Sequence, residues 1–390
     1  MSDSFDHCVI GGGIIGCATA YYAERAGLRT LLFERGELAG EASGINPGTV
    51  AQATKAPGDH ALMARASMRE LARLDEAFGH CFDYVQAGSL VMIETDDQRD
   101  FAVEQAAGLQ KCGVEISVIG AAEARRIQPI LEGPIVGALW SPRDVLVNSR
   151  KMTLAFARFA REAGADIRER ATVTGIASEA GRWTVRTAEG TTTCRWLVNA
   201  AGVGAPAVGK WLGLDHAIFP RKGQLMATTP VPEAAPVRVT SVTELLRKQG
   251  RKVRELPGPP VDIGITPQSD GSIFIGGTQE NVGLDTTLNP AVLGTMSVRA
   301  ARLYPRLSDG AITRAWCGFR PATPNGHPLV GTVDGCPNYV IAGGHGGDGV
   351  ALAPITGRYM ADLIKREGSG PKFGAYAKAL AEAGAESAVR

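Results

Sequence analysis

An excess of charge of one sign is missing from this sequence. Its 390 residues include 41 Lys and Arg against 40 Asp and Glu, which gives a net charge of +1. A nucleic-acid-binding surface or an electrostatic attachment to a membrane needs such an excess, so neither is expected. The only short basic segment, residues 247–252, is predicted to be a solvated loop.

Long hydrophobic runs and paired cysteines are missing as well. No apolar stretch reaches the ~18 residues of a transmembrane helix, and the first strand is predicted to begin by Asp6, without room for a signal peptide. The seven cysteines are scattered and form no C-x-x-C pair, which argues against a zinc or dithiol motif. No metal site is predicted. We expect a cytoplasmic protein, or one peripherally bound at the inner face of the membrane.

Glycine-rich turns, in contrast, are plentiful, and the first one is the most informative. Within residues 6–34, an apolar strand enters a G-x-G-x-x-G turn, a helix follows, and a second apolar strand ends on Glu34. This order is typical of a dinucleotide-binding fingerprint. Gly11 permits the tight turn, Gly13 lets the backbone approach a pyrophosphate, and Gly16 lets helix and strand pack closely. A carboxylate at Glu34 suits ribose hydroxyls and favours FAD or NAD over NADP.

The length of the chain predicts two domains. Alternating strands and helices predict an α/β, Rossmann-like nucleotide-binding domain that is discontinuous in sequence, made from residues 1–80, 145–215 and 318–375. The strand-rich blocks, residues 81–144 and 216–317, predict an α+β second domain for the substrate. Ligand chemistry is expected where the two domains meet.

Five segments together resemble the FAD-dependent D-amino-acid oxidase superfamily. They are the fingerprint through Arg35 and the segments 40–48, 199–202, 318–326 and 343–350. Within the superfamily, the chain is most similar to the branch of glycine oxidase, sarcosine oxidase and opine or hydroxyproline dehydrogenase. The resemblance spans roughly residues 5–366 and implies FAD as the cofactor, bound non-covalently.

The resemblance also implies which residues contact FAD. The small residues of segment 40–48 let backbone amides reach the cofactor, and the helix after turn 343–349 can stabilise negative charge on a reduced flavin. A carboxylate at Asp348 would oppose reduction, so its side chain is expected to point elsewhere. The full implied set is Gly11, Gly13, Ile14, Ile15, Gly16, Glu34, Arg35, Ala42, Ser43, Asn46, Val173, Ala200, Gly202, Gly318, Gly346, Gly347, Asp348, Gly349 and Val350.

Arg320 and His345 are the catalytic candidates, with His327 as a second histidine considered for the same role as His345. Arg320 precedes a proline, which favours a rigid guanidinium fork for a carboxylate, and in the family the matching arginine anchors the α-carboxylate of an amino acid. The alternative is a structural arginine paired with an internal acid. A hydroxy-acid substrate would need a base, for which His345 and His327 are the candidates.

Two further residues have alternative interpretations. Lys222 stands where relatives often carry an arginine, and it is predicted either to bind an acid group or a flavin edge or to be a solvated charge. Cys317 lies close to the position at which sarcosine oxidases attach flavin covalently, although the register matches poorly.

The implied reaction is oxidation of a C–N bond. Hydride leaves the α-carbon of an amino or secondary-amino acid for flavin N5, and the imine hydrolyses to a keto acid. The substrate classes are D-amino acids, glycine- or sarcosine-like acids, hydroxyproline and opines. The electron acceptor is expected to be oxygen, a quinone or a partner subunit, in a homo- or hetero-oligomer.

Three alternatives stay open at this point. The first is a 2-hydroxy-acid dehydrogenase of the hydroxyglutarate type. The second, from another class, is a non-catalytic flavoprotein subunit of a larger complex. The third is a pyridine-nucleotide disulfide reductase, which would need a second nucleotide fingerprint and a close cysteine pair.

Overall fold

Two eight-stranded sheets organise the chain, and the computed structural model describes residues 4–253 and 258–386. In chain order, strands β1 to β18 are Ser4–Ile10, Thr30–Phe33, Thr49–Val50, Ser89–Ile93, Ser117–Gly120, Gly137–Ser141, Val145–Leu146, Asp166–Arg168, Val173–Glu179, Arg182–Thr187, Gly190–Asn199, Phe219–Thr228, Arg238–Ser241, Gly264–Pro267, Ile273–Gly276, Ile312–Ala322, Leu329–Val333 and Cys336–Gly343. Helices α1 to α11 are Ile14–Arg25, Ala42–Ile45, Asp59–Ala77, Arg99–Lys111, Ala121–Ile127, Ser149–Ala163, Ala205–Lys210, Val242–Lys248, Pro290–Leu303, Gly349–Lys365 and Phe373–Glu386. Short 3₁₀ helices cover Asp96–Gln98, Gly202–Gly204 and Pro305–Asp309.

The first sheet has the strand order β17-β18-β11-β1-β2-β8, and β10 and β9 extend it from β11. Its central strands run parallel, because β1 pairs in parallel with both β11 and β2. Strand β1 is fully buried at Cys8 and Val9, as expected for a strand covered on both faces. Helices α1, α6 and α10 pack against one another on this sheet, with Tyr21 and Phe156 in their shared core.

The second sheet has the order β16-β12-β15-β14-β13-β4-β6-β5 and is mostly antiparallel. Helix α9 covers one face of it through Met296 and Ala300, and Asn289 caps that helix by accepting from the amide of Ala291. The α/β fold class with a strand-rich second unit is therefore confirmed. The domain boundaries remain a prediction, and β16 stays in the second sheet to Ala322, past the predicted boundary at residue 318.

Two sequence expectations are modified by the fold. The basic segment 247–252 is not entirely a loop, because α8 includes Arg247 and Lys248 and begins at the Ser241 cap. None of the helices in the described ranges has the length and apolar character that crossing a bilayer requires.

His7 in β1 generates a prediction about pH. Its side chain is fully buried, and neither ring nitrogen has a hydrogen-bond partner in the described part of the chain. Burial, only partly offset by Asp6, lowers the pKa of His7 to about 4. The unfolded chain, with a histidine pKa near ~6.5, therefore binds more protons between these two values. Stability contributed by neutral His7 is present above about pH 6.5 and is lost as the pH falls towards 4.

We therefore expect His7→Leu to flatten the pH dependence of unfolding. When the pH falls from 7.5 to 4.5, the free energy of unfolding of the wild type should decrease by on the order of 2 kcal/mol more than that of the variant. Urea unfolding at the two pH values measures this difference. Equal losses in the two proteins would show that His7 does not titrate as its burial requires.

Candidate active site

One large cavity, of about 500 Å³, connects the carboxyl ends of β1 and β2 with the face of the second sheet. It is lined by every residue predicted for the site except Gly16, including Glu34 at one end and Arg320 at the other. The sequence-predicted residues are therefore brought together in a single space. Their roles in binding stay predictions.

Gly16 lies beneath the cavity. A Cβ atom on it would stand 1.9 Å from the carbonyl oxygen of Gly11, so only glycine permits this contact between α1 and the β1 turn. Gly11 adopts φ +114°, and its amide donates to the carbonyl of Phe33 at 2.8 Å. The turn is thereby held against β2, with Gly13 and the N-terminus of α1 open to the cavity.

Two side chains fix this turn. Both oxygens of Glu34 accept from backbone amides, one from Gly12 at 2.6 Å and the other from Gly36 at 2.8 Å. The hydroxyl of Ser43 accepts from the amide of Ile14 at 2.9 Å, which leaves its proton free to donate to a ligand.

A second helix also begins at the cavity. Helix α10 starts directly after turn 343–349, and its N-cap residue, Asp348, makes no side-chain cap. The Asp348 carboxylate instead pairs with the nearly buried ammonium of Lys55. Burial works against the charge of Asp348, but Lys55 outweighs it and holds the pKa of that carboxyl below its usual range. Lys55 was missed in the sequence because it sits in an irregular loop with no motif.

His345 is buried beside the same turn. Its Nε2 atom lies 3.1 Å from the Thr356 hydroxyl, and burial lowers the pKa of His345 to about 4. The imidazole is consequently neutral at neutral pH and adds no positive charge beside α10.

Arg320 projects from β16 into the cavity and lies flat on Gly223. A Cβ on Gly223 would be 2.2 Å from its Nη1 atom, and the same Nη1 donates to the carbonyl of Thr278 at 3.0 Å. No carboxylate of the described residues forms an ion pair with Arg320. The described residues therefore give no support to the alternative of a structural arginine paired with an internal acid.

A group of charged side chains near Arg320 was not predicted. Glu244 accepts from the Thr240 hydroxyl and pairs with Lys248 at 2.6 Å. Burial disfavours its charge, but Lys248 and Arg238 outweigh that effect and hold the pKa of Glu244 well below its usual range. All of these residues line the cavity or its extension. Arg238 and Thr240 lie on β13, and Glu244 and Lys248 lie on the short helix α8 that follows it, a segment that carries no recognisable motif.

Asp262 is the other acid of this group and pairs with Arg247. Burial, followed by the charge of Glu244, raises the pKa of Asp262 to about 6. Asp262 lines the extension of the cavity beside Arg238.

Three of the residues weighed from the sequence do not line the cavity. Lys222 is 2% exposed, bonds to the carbonyl of Thr287 and pairs with Asp285 at 3.4 Å, so it is not a solvated charge. The Cys317 thiol donates to the carbonyl of Thr286 at 3.4 Å. His327 is exposed and contacts the ring of His60 at 3.0 Å.

The residues present fit FAD on structural grounds. The N-termini of α1 and α10 both open on the cavity, and such helix ends favour the negative charge of a pyrophosphate or a reduced flavin. Glycines give the clearance, because a Cβ on Gly346 would have open space and a Cβ on Gly13 would meet only Ser43 Oγ, at 3.2 Å. In the described part of the chain, no cluster of His, Cys, Asp or Glu could hold a metal ion.

Fold and site together define a flavin-dependent oxidoreductase. Comparison with known proteins is consistent with this class: a family model described as FAD dependent oxidoreductase, DAO, matches residues 6–363. The chain belongs to this family, and the predicted FAD cofactor and oxidoreductase class are confirmed.

Named relatives fall within the expected branch. The chain is 30% identical over 373 residues to a glycine oxidase of Bacillus licheniformis, covering 93% of this chain and 94% of that protein. It is 31% identical over 380 residues to the bifunctional protein ThiO/ThiG of Nostoc sp. (strain PCC 7120 / SAG 25.82 / UTEX 2576), covering 94% of this chain but only 53% of that relative, so it spans about half of the bifunctional protein. The crystal structure of glycine oxidase from Geobacillus kaustophilus superposes with a TM-score of 0.84 at 25% identity, covering 96% of this chain and 98% of that chain.

The contrast between Gly13 and Gly16 gives a test of the cofactor cradle. Gly13→Ala puts a methyl group into the cavity without a backbone clash, whereas Gly16→Ala drives one into the Gly11 carbonyl. We expect Gly13→Ala to leave the free energy of unfolding of the apoprotein within about 1 kcal/mol but to weaken FAD binding by roughly tenfold or more. Gly16→Ala should destabilise the apoprotein itself by about 1–3 kcal/mol.

Gly175→Ala is the matched control, because a Cβ there meets nothing within 4 Å. FAD affinity is measured by titration of the apoproteins and stability by chemical unfolding. Wild-type FAD affinity in Gly13→Ala would contradict the assignment of this turn to the cofactor.

Proposed function

We propose that the chain oxidises the C–N bond of an amino or secondary-amino acid to an imine, which water hydrolyses to a keto acid. The observation that carries the proposal is Arg320, a guanidinium in the cavity with no acidic partner among the described residues. A guanidinium fork recognises a carboxylate bidentately, so Arg320 holds the substrate by its α-carboxylate. The relatives named glycine oxidase support the same chemistry.

Bound FAD supplies the hydride acceptor for this reaction. The chain provides orientation and charge: Arg320 fixes the carboxylate, and the start of α10 favours the negative charge that reduction creates. Lys55 neutralises Asp348 and so removes the repulsion that this carboxylate would exert at the same place.

The oxidation of an amine substrate needs little help from acid–base side chains. The lone pair of a neutral amine drives imine formation, so a strong side-chain base is not needed. A 2-hydroxy acid would need one, and the candidates are poor. Burial lowers the pKa of His345 to about 4, and its Nε2 atom contacts the Thr356 hydroxyl. His327 lies outside the cavity. These features favour the amine reaction over the hydroxy-acid alternative.

Removal of the Arg320 guanidinium tests the proposal. In anaerobic stopped-flow mixing with D-, L- and N-substituted amino acids and 2-hydroxy acids, we expect bleaching of the flavin by an amino or imino acid. Arg320→Met should still bind FAD but should lower kcat/KM roughly 30- to 100-fold, because it loses about 2–3 kcal/mol of charge-assisted hydrogen bonding.

Arg314→Met serves as the control, because Arg314 is an exposed residue of the same strand that lies over the Trp316 ring. It should behave as the wild type. Wild-type turnover of Arg320→Met at low substrate would overturn the carboxylate assignment, and bleaching by hydroxy acids alone would replace the amine reaction.

A further inference from the structure

The charged groups at the substrate end of the cavity fall into pairs, with two arginines left over. Each of the three acids has its own hydrogen-bonded cation: Asp348 pairs with Lys55, Glu244 with Lys248, and Asp262 with Arg247. Arg320 and Arg238 are the cavity-lining cations of this region that have no hydrogen-bonded acid in the described ranges. Two guanidinium groups in one cavity thus have no hydrogen-bonded carboxylate among the described residues.

Arg238 is the less expected of the two. Its side chain is only 14% exposed, and its Nη1 atom is buried without a hydrogen-bond partner in the part of the chain that the structure describes. Among the described residues, Glu244 has the only carboxylate within 4 Å, at 4.0 Å, which is beyond hydrogen-bonding distance, and it is already bonded to Lys248. Buried guanidinium N–H groups without acceptors are costly, so this arrangement points to a ligand that supplies them.

The space between the two arginines has a floor of glycine. In four neighbouring strands of the second sheet, Gly318 pairs directly with Gly223, and Gly276 pairs directly with Gly264. Because these residues carry no side chains, a trough runs across the sheet from β16 towards β13, interrupted by the side chain of Leu225, which pairs directly with Gly276 and lies against it. The Arg320 guanidinium lies over Gly223 in this trough.

Arg238 stands at the far side of the trough. Arg238 and Thr240 flank Val239 on β13, so they share a face of the sheet, and a Cβ on Gly264 would come within 3.5 Å of Thr240 Oγ1. Adjacent strands are about 4.8 Å apart, and three strands separate β16 from β13. Two long arginine side chains that reach inward from these positions leave room between them for a short carbon skeleton.

We propose that the substrate is an amino or imino acid with a second carboxylate, in its side chain or its N-substituent, and that Arg238 binds that carboxylate. The inference rests on the proposed function, in which Arg320 binds the first carboxylate. A dicarboxylate supplies one hydrogen-bonded carboxylate to each of the two guanidinium groups, whereas a glycine-like substrate leaves Arg238 with only Glu244, which lies 4.0 Å away and is bonded to Lys248.

The experiment compares each acid with its uncharged isostere on the holoenzyme. Flavin reduction is followed anaerobically with both enantiomers of glutamate and glutamine, both enantiomers of aspartate and asparagine, and N-carboxymethylglycine against its amide, N-carbamoylmethylglycine. The wild type should show kcat/KM at least about tenfold higher for the carboxylate member of the reactive pair. Arg238→Met should abolish this ratio, lowering kcat/KM roughly 10- to 100-fold for the acid and less than about threefold for the neutral isostere.

Several controls separate this inference from the proposed function. Arg320→Met should lower kcat/KM for both members of a pair, whereas Arg314→Met should leave kcat/KM unchanged for both. Arg238→Lys, which keeps the charge, should restore part of the preference. If Arg238→Met loses FAD or does not fold, a binding measurement on the wild type takes its place. Succinate and butyrate are each titrated into the wild-type holoenzyme and followed by the flavin spectrum, and we expect succinate to bind more tightly.

Equal rates for acid and isostere in the wild type, or equal losses for both in Arg238→Met, would overturn the dicarboxylate inference and leave the amine reaction standing. If no amino or imino acid reduces the flavin, that result would overturn the proposed function itself.

Discussion

The close contact between Gly16 and the Gly11 carbonyl is the constraint on which the rest of the site depends. It brings α1 against the end of β1 at a distance that no side chain permits, so the helix N-terminus opens on the cavity at Gly13. The same turn is bonded to β2 through the Gly11 amide and through Glu34. Backbone clearance, more than any polar side chain, therefore shapes the space in which we expect a dinucleotide to bind.

The second sheet is tied to that cradle through a buried acid. Asp144 accepts from the amides of Gln52 and Ala53 and from the hydroxyl of Ser141. Burial, which these hydrogen bonds offset in part, raises the pKa of Asp144. The loop that it fixes carries Lys55, which reaches Asp348 at the start of α10. Asp144 thus links the second sheet to the charge balance beside the predicted flavin position, although it does not line the cavity itself.

How much of this could be predicted from the sequence depends on whether a feature is local. The glycine turn, Glu34 and the segment at 343–350 could be predicted to lie together, and they do line one cavity, because each belongs to a short motif with a fixed conformation. Lys55 was missed because its partner, Asp348, is 293 residues away in sequence. Arg238 and Asp262 were missed although Glu244 and Arg247 lie near them in sequence, because their place beside the cavity follows from the packing of the second sheet and not from a motif. The residue types alone do not predict which of these charged side chains lie next to one another in the fold.

Lys222 and Cys317 were considered as ligand-contacting residues from the sequence, but neither lines the cavity. Both belong to the paired strands β12 and β16, and both have the chemistry expected near a ligand. Lys222 pairs directly with Phe319 and Cys317 with Gln224, one residue out of step with the row that joins Gly223 to Gly318. Alternation along a strand sends neighbouring side chains to opposite faces, so a difference of one position decides whether a residue meets the cavity. Arg320 lies two residues from Gly318 and shares its face, which is why its guanidinium lies over Gly223 and inside the site.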